Sequence, residues 1–270
     1  MNHFVNHSEF VKENIKKLKL AHDFKRHSLK WSEHAATYNY VHNLTWMGRP
    51  ILQVPQDIYA IQELCWLIKP DLIIETGVAH GGSLILSASL LALLDYVDAV
   101  ESKNSFNPLV SKRKVIGIDI EIRQHNREFI QQHPLNNLIK LIEGSSIAPS
   151  VISEVTEQAK NFKNILVFLD SNHTHDHVLA ELVAYAPLVS EGSYCVVWDS
   201  GIDDFPEGFV TDRPWGKGNN PKTALFSYLH TLHEEGKNKS GDSINFVIDK
   251  DIEAKLMITA ATDGFLRRTS

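Results

Sequence analysis

The stretch Glu75-Thr-Gly-Val-Ala-His-Gly-Gly-Ser83 limits what this chain can fold into more than any other segment. It follows the apolar run Leu72-Ile-Ile74 and precedes Leu84-Ile-Leu86, so it reads as a strand, a glycine turn and a helix start. Gly77, Gly81 and Gly82 let the backbone turn sharply and approach a bound molecule closely, and the first turn of the helix offers unpaired N–H groups at a positive dipole end. That combination predicts a cradle for a nucleotide cofactor. An acid at the strand tip, Glu75, would repel a pyrophosphate but suits an ammonium or sulfonium charge, which favours S-adenosylmethionine over NAD.

The chain has 270 residues, 43% of them apolar, enough for one substantial α/β core. The division expected is an N-terminal helical extension with a crossing segment over 1–56, then an α/β domain over 57–270. Against 33 acidic residues stand 27 basic ones, a formal charge of -6 that argues against nonspecific binding to nucleic acid or to anionic membranes. Cys65 and Cys195 each sit in an apolar run and read as buried thiols of a reducing compartment. With no signal-peptide pattern at the start and no stretch expected to span a bilayer, a cytoplasmic protein is anticipated.

Residues 8–30 place Phe10, Val11, Ile15 and Leu18 among lysines at a rough helical period, which predicts a surface helix or a partner-binding arm. Pro50, Pro55 and Gly48 make 45–57 an irregular crossing segment, with Asp57 as the cap of the helix that follows. Strand-like runs at 71–76, 115–120, 138–143, 164–169 and 193–199 then alternate with helical patterns at 82–97, 123–132, 147–160 and 174–189. Alternation of this kind predicts a parallel sheet covered on both faces. Ile244–Ile248 and Leu256–Ala260 are too close for a helical crossover and are expected to pair as an antiparallel hairpin. The sum is a Rossmann-like α/β fold of the class I methyltransferase type, a mostly parallel seven-stranded sheet with a C-terminal antiparallel hairpin.

Chemistry-bearing residues fall where these strands end. Asp119 closes the second strand, where a carboxylate can accept both hydroxyls of a ribose. It lies further past the glycine turn than the roughly 20 residues usual in NAD enzymes. Ser145, after the third strand, is placed to meet an adenine edge or to cap the next helix. Asp170 and His173 sit beyond the fourth strand, where an open α/β sheet keeps its catalytic groups, and a histidine there has the intrinsic pKa to take a proton from a hydroxyl. His175 and His177 read as solvated first-turn residues rather than zinc ligands. Asp199, at the end of the fifth strand, could share a divalent cation with Asp170, magnesium being the expected ion, or the two could act without metal. The turn-rich stretch Asp212–Pro221, with Arg213, Trp215 and Lys217, suits a lid over the strand tips or a structured connection.

With these segments in hand, the chain resembles the cephalosporin hydroxylase and rhamnosyl O-methyltransferase family. The resemblance runs through Thr-Trp-Met-Gly-Arg-Pro-Ile-Leu-Gln, Glu-Thr-Gly-Val-Ala-His-Gly-Gly-Ser, Gly-Ile-Asp-Ile, Glu-Gly-Ser-Ser, Leu-Asp-Ser-Asn-His, Arg-Pro-Trp-Gly-Lys-Gly-Asn-Asn-Pro and Asp-Gly-Phe-Leu-Arg-Arg, in that order. It implies a class I methyltransferase that uses S-adenosylmethionine, often as a homo-oligomer. The cofactor site expected comprises Glu75, Gly77, Gly81, Gly82, Ser83, Asp119, Ser145 and Asp170. Relatives that methylate macrolide sugars bind magnesium through three acids and use a histidine base. By position, the resemblance implies Asp170 as first acid, Asp199 as last and His173 as base. The middle acid falls on Trp198, so Asp203 or Asp204 would have to replace it. The function implied is O-methylation of a hydroxyl on a sugar-containing acceptor: a polysaccharide, a glycolipid or a secondary metabolite. The alternatives are an NAD(P)-linked sugar-modifying enzyme and an idle scaffold that docks a partner through the basic N-terminal arm.

Overall fold

Leu72, Ile73 and Ile74 are all fully buried, as a strand covered on both faces requires. In the computed structural model, which describes residues 2–235 and 244–270, they belong to an interior strand of a seven-stranded sheet. Two helices come first, α1 (Asn2–Lys19) and α2 (His22–Thr37), so the single arm expected over 8–30 is broken at Leu20 and Ala21. A two-residue ribbon, β1 (Thr45–Trp46) with β2 (Arg49–Pro50), leads to α3 (Pro55–Ile68). The core then follows as β3 (Leu72–Thr76), α4 (Gly82–Ser102), β4 (Lys114–Asp119), α5 (Gln124–Gln132), β5 (Ile139–Glu143), α6 (Pro149–Ala159), β6 (Ile165–Leu169), α7 (His175–Tyr185), β7 (Tyr194–Val197), α8 (Pro221–Glu235), β8 (Phe246–Ile248), α9 (Lys250–Leu256) and β9 (Phe265–Arg268).

Strand order across the sheet is β5-β4-β3-β6-β7-β9-β8, parallel up to β7 and antiparallel beyond it. Side chains alternate in direction along each strand, so neighbours in sequence enter different cores. Leu72, Ile74, Val167 and Leu169 pack with Val155, Leu182 and Tyr228 on one face. Ile73, Leu166 and Phe168 pack with Ile61, Leu64 and Leu91 on the other. The register pairs Thr76 with Leu169 and Leu169 with Val197, which brings the tips of β3, β6 and β7 to one rim.

Three expectations change. Leu256–Ala260 is not a strand: Asp249 accepts a hydrogen bond from Asp251 N and starts α9, and the last strand is Phe265–Arg268. Glu253, Ala254 and Lys255 are good helix formers, and the apolar Met257 and Ile258 beyond them line a cavity instead of a sheet. The antiparallel hairpin survives with a helix inside its connection, β9 lying between β7 and β8. Asp57 does not cap α3; Val54 holds the cap position, and Asp57 is buried with Oδ2 accepting from Ala260 N at 2.9 Å. Lastly, α4 is long and apolar enough to cross a membrane by composition, contrary to the expectation of no such stretch. Its residues from Leu84 to Leu91 are all buried in the core, while Leu93, Tyr96 and Val100 further along it are exposed.

Candidate active site

Glu75 shares the face of Ile73 and therefore points toward α4. It is 2% exposed, its Oε2 lies 3.5 Å from the Ser87 hydroxyl, and its Oε1 has no hydrogen-bond partner among the described residues. Burial pushes its carboxyl up to about 7, against the pull of the Ser83 and Ser87 hydroxyls. A buried carboxylate oxygen left unpaired is costly unless a donor arrives from outside the chain. An ammonium group would be such a donor, so this cradle fits an amino-acid-bearing cofactor.

The turn itself is held from beneath by protein. Gly77 (φ 91°) and Gly81 (φ 83°) occupy the left-handed region that glycine tolerates. A Cβ at Gly77 would strike the Asp170 carbonyl, one at Gly81 the Ile130 side chain, and one at Gly82 the Pro50 carbonyl. Close packing between segments of the chain therefore demands glycine at these positions, beside the close approach of a ligand expected from the sequence. Asp119 Oδ2 accepts from Val78 N at 2.8 Å and Ala79 N at 3.2 Å, fixing the turn to the tip of β4. Arg49 donates to the His80 carbonyl at 2.6 Å and to Asn126 Oδ1 at 2.9 Å, and its guanidinium lies 4.7 Å from the centre of the Phe129 ring. Ser83 opens α4 beside Glu75. Ser145 follows β5, its carbonyl accepting from Ala148 N at 2.9 Å, and Ala148 rather than a serine caps α6.

At the neighbouring tips, Asp170 N donates to the Thr76 carbonyl at 3.0 Å, and Gln53 Nε2 donates to Asp170 Oδ2 at 3.3 Å. Burial holds the Asp170 carboxyl well above the usual carboxylate range, and the nearby Asp199, Glu75, Glu181 and Asp57 push it further. His173 Nε2 stands 3.1 Å from Asp199 Oδ2, so its carboxylate partner is Asp199 rather than Asp170, which is nearer in sequence. The Trp215 ring meets His173 edge-on with centroids 4.9 Å apart.

One ligand atom each from Asp170, His173 and Asp199 lies within 4.8 Å of the other two. Two carboxylates and an imidazole, with further acids crowding behind, are a donor set suited to a divalent cation that keeps several waters. Trp198 turns away from this rim into the core, 2% exposed between Phe168 and Phe265 at 6.0 and 6.1 Å. Asp203 and Asp204 do not replace the missing acid. Asp203 Oδ1 accepts from Gly218 N and Asn220 Nδ2, while Asp204 is taken by Lys222 and Thr262.

His177 and His175 are half-buried and hydrogen-bonded within the protein, unlike the solvated residues expected. His177 Nε2 lies 3.0 Å from Ser146 Oγ and 3.2 Å from Ser171 Oγ, and the Ser171 hydroxyl donates to Glu181 Oε1 at 2.6 Å. His175 Nδ1 meets Thr223 Oγ1 at 2.9 Å, and His175 N donates to Asn219 Oδ1 at 2.9 Å. The second of these bonds ties the stretch 212–221 to α7, making it a structured connection. The sequence singles out Trp215 with its turn-rich stretch, and Asp57 only as a helix cap; it does not single out Gln53 and Glu181, which act on Asp170, the crossing-segment pattern being the available signal for Gln53.

Known proteins resemble this chain in sequence and in fold. Residues 38–269 match the family described as Rhamnosyl O-methyltransferase/CmcI. A Rhamnosyl O-methyltransferase of Mycobacterium leprae (strain TN) is 31% identical over 236 residues, covering 85% of this chain and 86% of its own. One from Mycobacterium bovis (strain BCG / Pasteur 1173P2) is 27% identical over 237 residues, covering 85% and 82%. Among solved structures, a CmcI protein in its Mg-SAM form shares the fold with a TM-score of 0.50 at 18% identity, covering 85% of this chain and 78% of that one. By both its sequence match and its near-complete coverage of these relatives, the chain belongs to the Rhamnosyl O-methyltransferase/CmcI family.

Proposed function

We propose that the protein transfers a methyl group from S-adenosylmethionine to a hydroxyl of a sugar-containing acceptor, with His173 as the general base. One observation carries this reading: the unpaired carboxylate oxygen of Glu75 and the His173–Asp199 pair face one rim, on the adjoining tips of β3, β6 and β7. S-adenosylmethionine supplies an activated methyl on a sulfonium together with an ammonium group that Glu75 can receive. Ser83 and the first turn of α4 lie beside that end, and Asp119 and Ser145 line the tips of β4 and β5 toward a ribose and a base. His173, donating from Nε2 to Asp199, keeps Nδ1 free to accept the acceptor's hydroxyl proton, and Asp199 balances the imidazolium that forms. Trp215 limits where that ring can turn. Positioning of this kind supplies a large part of the rate in a two-substrate reaction. A divalent cation on Asp170 and Asp199, magnesium by donor type, would lower the pKa of the acceptor hydroxyl.

The mycobacterial relatives named as rhamnosyl O-methyltransferases support a deoxyhexose as the methylated unit. The acid buried beneath the turn argues against an NAD(P)-linked rival, since a diphosphate there would face Glu75 and Asp119 together. The test is a titration of S-adenosylmethionine into the protein, followed by an assay of S-adenosylhomocysteine release with rhamnosides as acceptors. Binding with acceptor-dependent release is expected. Absence of cofactor binding to folded protein would remove the proposal.

A further inference from the structure

Helix α7 carries His177, Glu181 and Tyr185 at four-residue spacing, so their side chains leave one face of it. That face reaches the loops beyond two strand tips. Tyr185 donates from its hydroxyl to the Ser146 carbonyl at 2.5 Å, and His177 Nε2 stands 3.0 Å from Ser146 Oγ, which ties α7 to the turn at 144–146 beyond β5. The same nitrogen stands 3.2 Å from the hydroxyl of Ser171, the neighbour of Asp170 beyond β6. In the sheet, β4 and β3 lie between β5 and β6. One imidazole therefore bridges two loops whose strands share no ladder hydrogen bonds.

Hydrogen counting gives these bonds a direction. The Ser171 hydroxyl spends its one hydrogen on Glu181 Oε1 at 2.6 Å, so toward His177 it can only accept. His177 thus carries a hydrogen on Nε2, shared between Ser171 Oγ and Ser146 Oγ. Glu181 is fully buried and 3.5 Å from that nitrogen, and its Oε2 has no hydrogen-bond partner among the described residues. Burying a carboxyl with one oxygen unpaired is unfavourable, and what it secures here is the direction of the Ser171 hydroxyl. Ser146 is 4% exposed and committed to α7, whereas Ser145 before it is half-buried.

We infer that His177, oriented by Glu181 through Ser171, is the positioning residue for the adenine end of the cofactor site: it holds the 144–146 turn against the tip of β6 and keeps the pocket for the base formed before the cofactor arrives. The inference rests on the S-adenosylmethionine reading above. It concerns affinity rather than the chemical step, since His177 and Glu181 bond the two serines and not the His173–Asp199 pair.

The test is calorimetric titration of S-adenosylhomocysteine, and of 5′-methylthioadenosine, which keeps the adenosine and lacks the amino-acid end, into the full chain and its variants. Both are expected to bind the parent. His177→Leu fills most of the ring's space but removes the bridge, so both affinities should fall by the same factor, about tenfold or more. The KM for S-adenosylmethionine should rise with them while kcat stays within about threefold. His177→Gln, whose amide N–H replaces the one on Nε2, should keep both affinities within about threefold of the parent. Ser146→Ala is the milder change; it should also weaken both ligands, and adding it to His177→Leu should weaken them no further. Failure of the parent to bind S-adenosylhomocysteine would remove the cofactor reading itself. With that binding intact, any of four results would overturn the inference: parent-like affinities in His177→Leu or Ser146→Ala, a loss confined to S-adenosylhomocysteine, equal losses in the leucine and glutamine variants, or no binding of 5′-methylthioadenosine by the parent.

Discussion

The imidazole of His173 and the carboxylate of Asp199 meet at 3.1 Å across the tips of two adjacent parallel strands, β6 and β7. Asp199 sits at φ 53°, a backbone conformation that most residues with a side chain avoid, and it lies two residues beyond a strand that is buried throughout. Strain of this kind at a strand tip is tolerated when the surrounding structure holds it, and it is concentrated at functional sites.

Asp199→Asn should therefore reduce turnover by on the order of 10²-fold or more, because the amide neither balances an imidazolium nor serves a cation as well. Affinity for S-adenosylmethionine should change little. Steady-state rates with cofactor titrations on the same preparation check this, and an undiminished rate would show that the pair is structural.

Glu75→Gln separates stability from cofactor binding. The carboxyl is raised to about 7 in the fold. An acid raised on folding costs stability once pH exceeds its unfolded value, and the cost is complete above the folded one. The glutamine variant should melt higher than the parent, with a larger gain at pH 8 than at pH 5, while binding S-adenosylmethionine about 10- to 100-fold more weakly. Thermal melts at the two pH values and one titration decide it.

Metal dependence is tested by a chelator together with Trp198→Glu. The carboxylates of Asp170 and Asp199, clustered beside the His173 base, predict that chelation lowers the rate and that added magnesium or manganese restores it. Trp198 packs against Phe168 and Phe265, so putting an acid there should cost roughly 3–5 kcal/mol without tightening metal binding. Denaturant melts and a metal titration of the variant read both effects.

Much of this rim was legible because each of its acids directly follows an apolar run. Glu75, Asp119, Asp170 and Asp199 all stand at or near the C-terminal end of a strand, and the parallel topology brings such ends together. What could not be read were contacts between segments distant in sequence. Gln53 reaches Asp170 and Asp57 reaches Ala260 only once the crossing segment is folded over the rim. The run Leu256–Ala260 looked like a strand because apolar residues that line a cavity and those that line a sheet share a composition. The packing that demands the glycines was likewise not legible, since the Asp170 carbonyl and Ile130 that fill their missing side-chain space come from elsewhere in the chain.

Acid sensitivity should trace in part to Asp263, whose carboxyl is held below the ordinary range by Lys250 and Lys222 against the opposing effect of burial. A depressed carboxyl adds stability above its unfolded pKa and loses it as pH falls through the folded one. Asp263→Asn should lower the melting temperature at pH 7 and flatten the fall in stability below about pH 4. Melts of both proteins across that range check the sign.

The most direct measurement is the pair of numbers obtained from His173→Ala: its affinity for S-adenosylmethionine and its turnover with a rhamnoside acceptor. The account predicts cofactor binding within about twofold of the parent and turnover lower by on the order of 10²- to 10⁴-fold. Full turnover in a variant that binds the cofactor normally would contradict it.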